Sequence, residues 1–214
     1  MKLIKPYTEI LTPVDTVDVY KTIEKVARTC YKSEDKISDT SAERMIKSLI
    51  KSGHEAMIEF FDITVKFVTD RGVSHEIVRH RLGSYAQEST RYCNYSNDKF
   101  GKELTFVEPS WYDTSSDQQQ DWFDLACLKT ESIYLKMIED GLTPQQARQV
   151  LPNALKTEIN VKFNLREWRH FFNLRCHHTA HPDMRELAIP LLKDMYTLLP
   201  IVFEDLYEKY CKVI

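Results

Sequence analysis

Glycine is scarce in this chain, with five in 214 residues, at positions 53, 72, 83, 101 and 141. None falls in a GxGxxG or P-loop pattern, so any nucleotide bound here must be held without a Rossmann turn or a Walker loop. Cysteine is thin as well. Cys30, Cys93, Cys127, Cys176 and Cys211 are scattered, odd in number and free of CxxC spacing, which argues against a disulfide framework or a zinc ribbon and for reduced thiols. The opening MKLIKPYTEI contains no apolar run of signal-peptide length, and no window approaches the roughly 18 apolar residues of a membrane span. These absences predict a soluble, cytoplasmic protein with no membrane partner. Excess positive charge is missing too: the formal net charge is -3, which speaks against a surface built for nucleic acid and makes any basic cluster local.

What is present is enough apolar material, 43% of residues, for a real core. No repeat, low-complexity tract or linker divides the chain, so one domain over residues 1–214 is the simplest expectation. Against that background the run RHRLGSYAQESTRY, Arg79 to Tyr92, is anomalous. Arg79, His80 and Arg81 repel one another unless an anion or a carboxylate network lies between them, so the triplet asks for a polyanionic partner. A solvated basic turn is the plainer alternative.

Periodicity supplies the rest of the architecture. Residues 2 to 10 suggest an initial strand, and Pro13 with Asp15 opens a helix to about Tyr31 whose stripe is Val19, Ile23, Val26 and Cys30. A second helix, Ser41 to Lys51, turns Met45, Leu49 and Ile50 inward and stops at Gly53 as its C′ residue, directly before His54 and Glu55. Phe61, Ile63, Val65 and Phe67 alternate with polar residues, as do Leu155, Ile159, Val161 and Phe163 further on. Alternation of this kind predicts half-buried strands and an antiparallel or mixed sheet covered by helices, an α+β fold. Ser74 is the expected cap of a short helix leading to Arg79. Residues 93–118 read as loop and short strand, with 113–120 the most mobile part; a long helix follows to about 140 and ends at Gly141. Pro144 then starts a short helix bearing Arg148, closed by Pro152.

Asn164 followed by Glu167 predicts a capped helix through Arg175, with Trp168, Phe171 and Phe172 as its apolar stripe. Arg175 lies one turn beyond Phe171 on that stripe, and an arginine on a buried face needs a partner. Arg166, His170 and Asn173 occupy the other flank, either lining a polar pocket or facing water. Beyond them His177, His178, His181 and Asp183 crowd together. The i, i+4 pair His177 and His181 tempts a metal reading, but Pro182 interrupts the helix such a site needs, and capping or interface work is the better expectation; no metal is predicted.

RHRLGSYAQESTRY, with its RHR followed by Ser89, Thr90 and Arg91, resembles the signature of the flavin-dependent thymidylate synthases. GHEAMIEF at 53–60, QARQVLP at 146–152 and NLREWRHFFNLR at 164–175 resemble further segments of that family, in the same order. The resemblance implies a fold of that family and methylation of dUMP to dTMP with 5,10-methylenetetrahydrofolate, FAD as hydride carrier and NADPH as reductant, in a homotetramer with shared flavin sites. It further implies that Arg79, His80 and Arg81 hold FAD, that His54, Asn164, Arg166 and His170 line the flavin, and that Ser89, Thr90, Arg91 and Arg148 receive dUMP, with Gln87 beside them and Glu76 where the family has glutamine. Arg175 is implied at the pyrimidine, stabilising negative charge on the ring carbonyl. No enzyme nucleophile is implied: Ser89 reads as a ligand contact and Cys93 as structural.

Departures from the family pattern are Ala56, Met57 and Phe60 in the first segment and Ala86 and Gln87 before Glu88 in the signature. Two other classes compete. One is a single-stranded nucleic-acid module gripping with arginines and tyrosines; the other is a metal-dependent phosphohydrolase built on His177, His181 and Asp183.

Overall fold

The computed structural model describes residues 1–212; Val213 and Ile214, the last two positions of the expected 1–214 domain, lie outside the described residues. The fold is mixed α+β. Strands β2 (Tyr7–Ile10), β3 (Asp62–Asp70), β6 (Lys156–Asn164) and β4 (Ser84–Gln87) form a sheet in the order β2-β3-β6-β4, and β1 (Lys2–Ile4) pairs in parallel with β5 (Thr105–Val107). The expected strand over residues 2–10 is therefore two strands in two sheets. Pro6, which has no N–H to give a ladder, lies between them. β3 and β6 are antiparallel: Leu165 N–H donates to Phe61 O at one end, and Arg71 N–H donates to Asn153 O at the other. Ile63, Val65 and Phe67 of β3, and Ile159, Val161 and Phe163 of β6, are buried as their alternation predicts.

The chain divides into two compact units, one comprising residues 1–7, 67–79 and 85–160 and the other 8–66, 80–84 and 161 onward. In the first unit, Tyr95, Leu104, Phe106, Cys127, Tyr134, Ala147 and Leu155 make the core. Its long helix α4 (Asp117–Glu139) starts from a capping box in which Ser116 and Gln119 satisfy each other's backbone. Half of the segment expected to be mobile, 113–120, is thus the first turn of that helix. Helix α3 (Arg71–Ile77) is capped by Asp70, whose side chain accepts from Val73 N–H. Ser74, the expected cap, is buried inside that helix and donates to Arg71 O. Asp70 wins because it ends the strand in extended backbone, the conformation an N-cap requires.

In the second unit, α1 (Thr16–Tyr31) is capped by Asp15 and buries Val19, Tyr20, Ile23 and Ala27; Cys30, expected in the stripe, is exposed. α2 (Ser41–Lys51) packs on α1 with Ile46 as its fully buried residue, and it ends in a Schellman turn. Gly53, at φ 69°, donates its N–H to Ile50 O, and His54 N–H donates to Leu49 O. α6 (Leu165–Arg175) sets Trp168, Phe171 and Phe172 against Phe163 and the Phe203 of α8 (Pro200–Tyr210), and Trp168 Nε1–H donates to Ile63 O. α7 (Pro182–Leu198) packs on both α6 and α8. Gly83 permits one close approach. A Cβ there would stand 2.2 Å from the Phe163 ring, so no larger residue lets residues 80–84 lie against β6. Among the described residues, no helix is long and apolar enough to cross a membrane.

Candidate active site

The second unit holds the chemistry around His80. Asn164 caps α6 by accepting from Glu167 N–H, as predicted, and this leaves the Glu167 carboxylate to point elsewhere. Glu167 Oε1 lies 3.1 Å from His80 Nδ1, and Arg175 Nε donates to His80 Nε2 at 3.0 Å. His80 is 4% exposed and Glu167 5%. The imidazole packs on Phe171 and Phe163 at centroid distances of 5.1 and 5.9 Å and meets His170 at 5.6 Å. The structure thus separates the members of the RHR triplet: Arg79 and Arg81 are exposed, whereas His80 is turned inward with both ring nitrogens engaged by protein.

Burial, with the Arg175 guanidinium and the neighbouring His170 adding to it, holds the His80 imidazole down from 6.5 to about 4, so it is neutral at pH 7. The Glu167 carboxyl is pushed up, mainly by its own burial, and works in the opposite sense. Between the two His80 values the unfolded chain takes up a proton that the folded chain refuses. Acidification through this window therefore costs folding stability, about 3 kcal/mol at the limit. His80→Asn removes that contribution: the stability difference between wild type and variant should shrink as pH falls from 6.5 towards 4, as read by urea unfolding. A constant difference would overturn the assignment.

Beside this trio lies a cleft of about 550 Å³ lined by Glu55, Asn164, Arg166, Arg169, His170 and others of the same unit. Three expected flavin-lining residues, Asn164, Arg166 and His170, therefore share one cavity. Arg166 pairs with Glu59 at 2.6 Å, both substantially exposed. His54 is exposed, held by the Schellman turn as the residue before the short 3-10 helix Glu55–Phe60. The buried arginine of α6 is Arg169 rather than Arg175, which is half-buried. Arg169 binds both carboxylate oxygens of Asp205 at 2.7 Å, Glu55 at 3.0 Å and the Val202 carbonyl. Sequence reasoning missed it, although a signal existed. Leu165, Trp168, Arg169 and Phe172 are spaced i, i+3, i+4 and i+7, which puts Arg169 on the buried face.

His80, Glu167 and His170 also bring three ligand atoms within 4.8 Å of one another. The observed hydrogen bonds already use both His80 nitrogens, so a metal would have to displace Arg175 or Glu167. The 177–183 histidines do other work: His181 is the N-cap of α7, accepting from Asp183 N–H, and His177 Nδ1 meets Thr179 Oγ1 at 2.8 Å. That matches the capping expectation.

The first unit holds the residues expected at the substrate other than Arg175. Glu76 and Gln87 are half-buried, and the Gln87 amide donates to Ser74 Oγ and Thr157 Oγ1 at 2.9 and 3.2 Å. Ser89 to Cys93 form a tight turn in which Tyr92 and Cys93 N–H donate to Ser89 O and Arg91 N–H donates to Ser89 Oγ. Thr90 is buried, and Arg91 is exposed with its guanidinium over the Tyr92 ring. Arg148, also exposed, opens the 3-10 turn Arg148–Val150 that follows α5 (Pro144–Ala147). Glu88 accepts from Tyr95 Oη and Lys156 Nζ. Cys93 is half-buried and its thiol is pushed up by burial and by Glu88, the reverse of what a nucleophile needs.

An α+β fold with a buried imidazole held between a carboxylate and an arginine beside a polar cleft has the make-up of an enzyme's site. Residues 14–201 match the model of the family described as thymidylate synthase complementing protein. The flavin-dependent thymidylate synthase of Geobacter sulfurreducens is 32% identical over 197 residues, covering 89% of this chain and 83% of the relative. That of Pyrococcus furiosus is 33% identical over 184 residues, covering 86% of this chain and 74% of the relative. The chain belongs to this family of flavin-dependent thymidylate synthases. Its fold also matches the crystal structure of a UMP/dUMP methylase, PolB from Streptomyces cacaoi, bound with 5-Br dUMP, with TM-score 0.78, 21% identity and 98% of each chain covered.

Proposed function

We propose that this chain converts dUMP to dTMP by reductive methylation, with 5,10-methylenetetrahydrofolate as one-carbon donor, FAD as hydride carrier and NADPH as reductant. The observation that carries the reading is Arg175 held through Nε by the histidine of the RHR signature, in a unit whose cleft gathers Asn164, Arg166 and His170. The donor set fits a flavin dinucleotide: exposed guanidinium groups on Arg79, Arg81 and Arg166 suit a pyrophosphate, and the cleft offers amide and imidazole edges to a heterocycle without any glycine-rich turn. When bound, the flavin supplies hydride; the protein supplies binding, orientation and field.

In this reading Arg79, Arg81, His54, Asn164, Arg166 and His170 hold FAD, with His80 acting through Arg175. Glu76, Gln87, Ser89, Thr90, Arg91 and Arg148 receive dUMP, and Gln87 is kept in register by Ser74 and Thr157. Arg175 takes up negative charge on the pyrimidine carbonyl. Ser89 and Cys93 form no covalent intermediate, which accords with the raised Cys93 thiol and with a Ser89 hydroxyl that accepts from the Arg91 backbone N–H. The enzyme works as one domain in a cytoplasmic homotetramer with shared sites.

Purified protein supplied with FAD should be yellow, should lose flavin absorbance on NADPH addition, and should release tritium from ring-labelled dUMP only when the folate is present. A colourless protein that takes up no FAD, or tritium release absent under all conditions, would overturn the proposal.

A further inference from the structure

Arg175 is the last residue of α6, where side chains at a helix end have most freedom, yet its Nε is tied down. The atom that Nε meets is a ring nitrogen, His80 Nε2. Guanidinium groups only donate, so His80 Nε2 must be unprotonated to meet Arg175 Nε at 3.0 Å. A neutral imidazole then carries its proton on Nδ1, and the atom facing Nδ1 is Glu167 Oε1 at 3.1 Å. The chain of donors runs one way, from Arg175 to His80 and from His80 to Glu167.

We propose that Glu167 is a positioning residue for the reaction: it fixes the Nδ1–H tautomer of His80, and that tautomer is what aims and holds Arg175. Three further observations make the link specific. Glu167 is buried, and the His80 bond engages its carboxylate, its backbone N–H being taken by the Asn164 cap. The imidazole plane is set by Phe163 and Phe171, so the ring cannot swing to another acceptor without leaving the aromatic cluster. Gly83 lets residues 80–84 sit against Phe163, which places His80 within reach of α6. With the opposite tautomer, His80 Nε2–H and Arg175 Nε–H would be two donors facing each other, and Arg175 would be pushed off its seat. The logic is that of any catalytic histidine whose second nitrogen is fixed by a remote carboxylate, applied here to an imidazole that carries an arginine.

The effect on catalysis rests on the function proposed above; the tautomer does not, and the experiment separates the two. In the FAD-loaded full chain labelled with ¹⁵N-histidine, NMR at pH 7 should show His80 Nδ1 protonated and Nε2 pyridine-like. Finding Nε2 protonated in the wild type would overturn the inference with no variant needed. Glu167→Leu should move the proton to Nε2 or mix the two forms, and should lower kcat by roughly 10- to 100-fold. Glu167→Gln keeps an acceptor oxygen and should retain the Nδ1–H form and most of kcat. A Glu167→Leu protein with wild-type tautomer and wild-type kcat would refute the role. A wild type with the expected tautomer but no dTMP formation would sink the functional reading and the catalytic role with it, leaving only the structural link.

Discussion

Arg175→Lys should lower dTMP formation by about 100- to 1000-fold, equivalent to about 2.7–4 kcal/mol of transition-state stabilisation, the range found when one preorganised donor to a developing oxyanion is removed. The substitution keeps the positive charge, so charge alone is not the variable. Lysine lacks the planar fork and has no Nε–H to lodge on His80 Nε2; its ammonium is a flexible point charge where the structure has a guanidinium fixed at 3.0 Å from an imidazole. The FAD absorbance of the variant should match wild type, because the cleft-lining residues Asn164, Arg166 and His170 are untouched. Single-turnover dTMP formation is the measurement that isolates chemistry from product release. A variant with wild-type single-turnover rate would remove Arg175 from the reacting centre.

The second large effect is on stability. Arg169 has a side-chain exposure of 6% and reaches water hardly at all, so its charge depends on Glu55, Asp205 and the Val202 carbonyl. Burial alone would push the Asp205 carboxyl up, but Arg169 more than reverses this and holds it below the usual carboxylate range. The double change Glu55→Gln with Asp205→Asn leaves a buried guanidinium with neutral partners only, and it should cost about 3–5 kcal/mol, read as a lower denaturation midpoint in urea. Adding Arg169→Met should recover most of that loss, since an apolar side chain of similar length needs no counter-charge. A double variant within about 1 kcal/mol of wild type would show that Arg169 is solvated by some other route. The network also bears on the site: Glu55 follows His54 directly, so Arg169 anchors the segment that presents His54.

Local signals in the sequence were read well where one element's own periodicity decides the outcome. The alternation at Ile63, Val65 and Phe67 and at Ile159, Val161 and Phe163 gave two real strands, and Gly53 and Asn164 mark a helix end and a helix start where expected. Reading failed where two residues compete for one role. Asp70 and Ser74 both qualify as caps by type, and only the extended backbone of the strand end selects Asp70. Arg169 and Arg175 both lie near the apolar stripe of α6; the spacing with Leu165, Trp168 and Phe172 favours Arg169, but its counter-charge, Asp205 of α8, leaves no local trace.

The same division runs through the candidate site. By itself, the sequence determined the family, the α+β class and the roster of cations, because RHR, Ser89 with Arg91, and the segment from Asn164 to Arg175 are local patterns whose residue types and spacing survive without coordinates. Only the tertiary structure decided that the middle residue of the RHR triplet faces away from its neighbours, meeting Glu167 and Arg175 at separations of 87 and 95 residues along the chain. A contact between residues so distant has no periodic trace. It exists because Phe163, Phe171 and Gly83 pack residues 80–84 against α6, and that packing turns the imidazole inward while Arg79 and Arg81 remain at the surface.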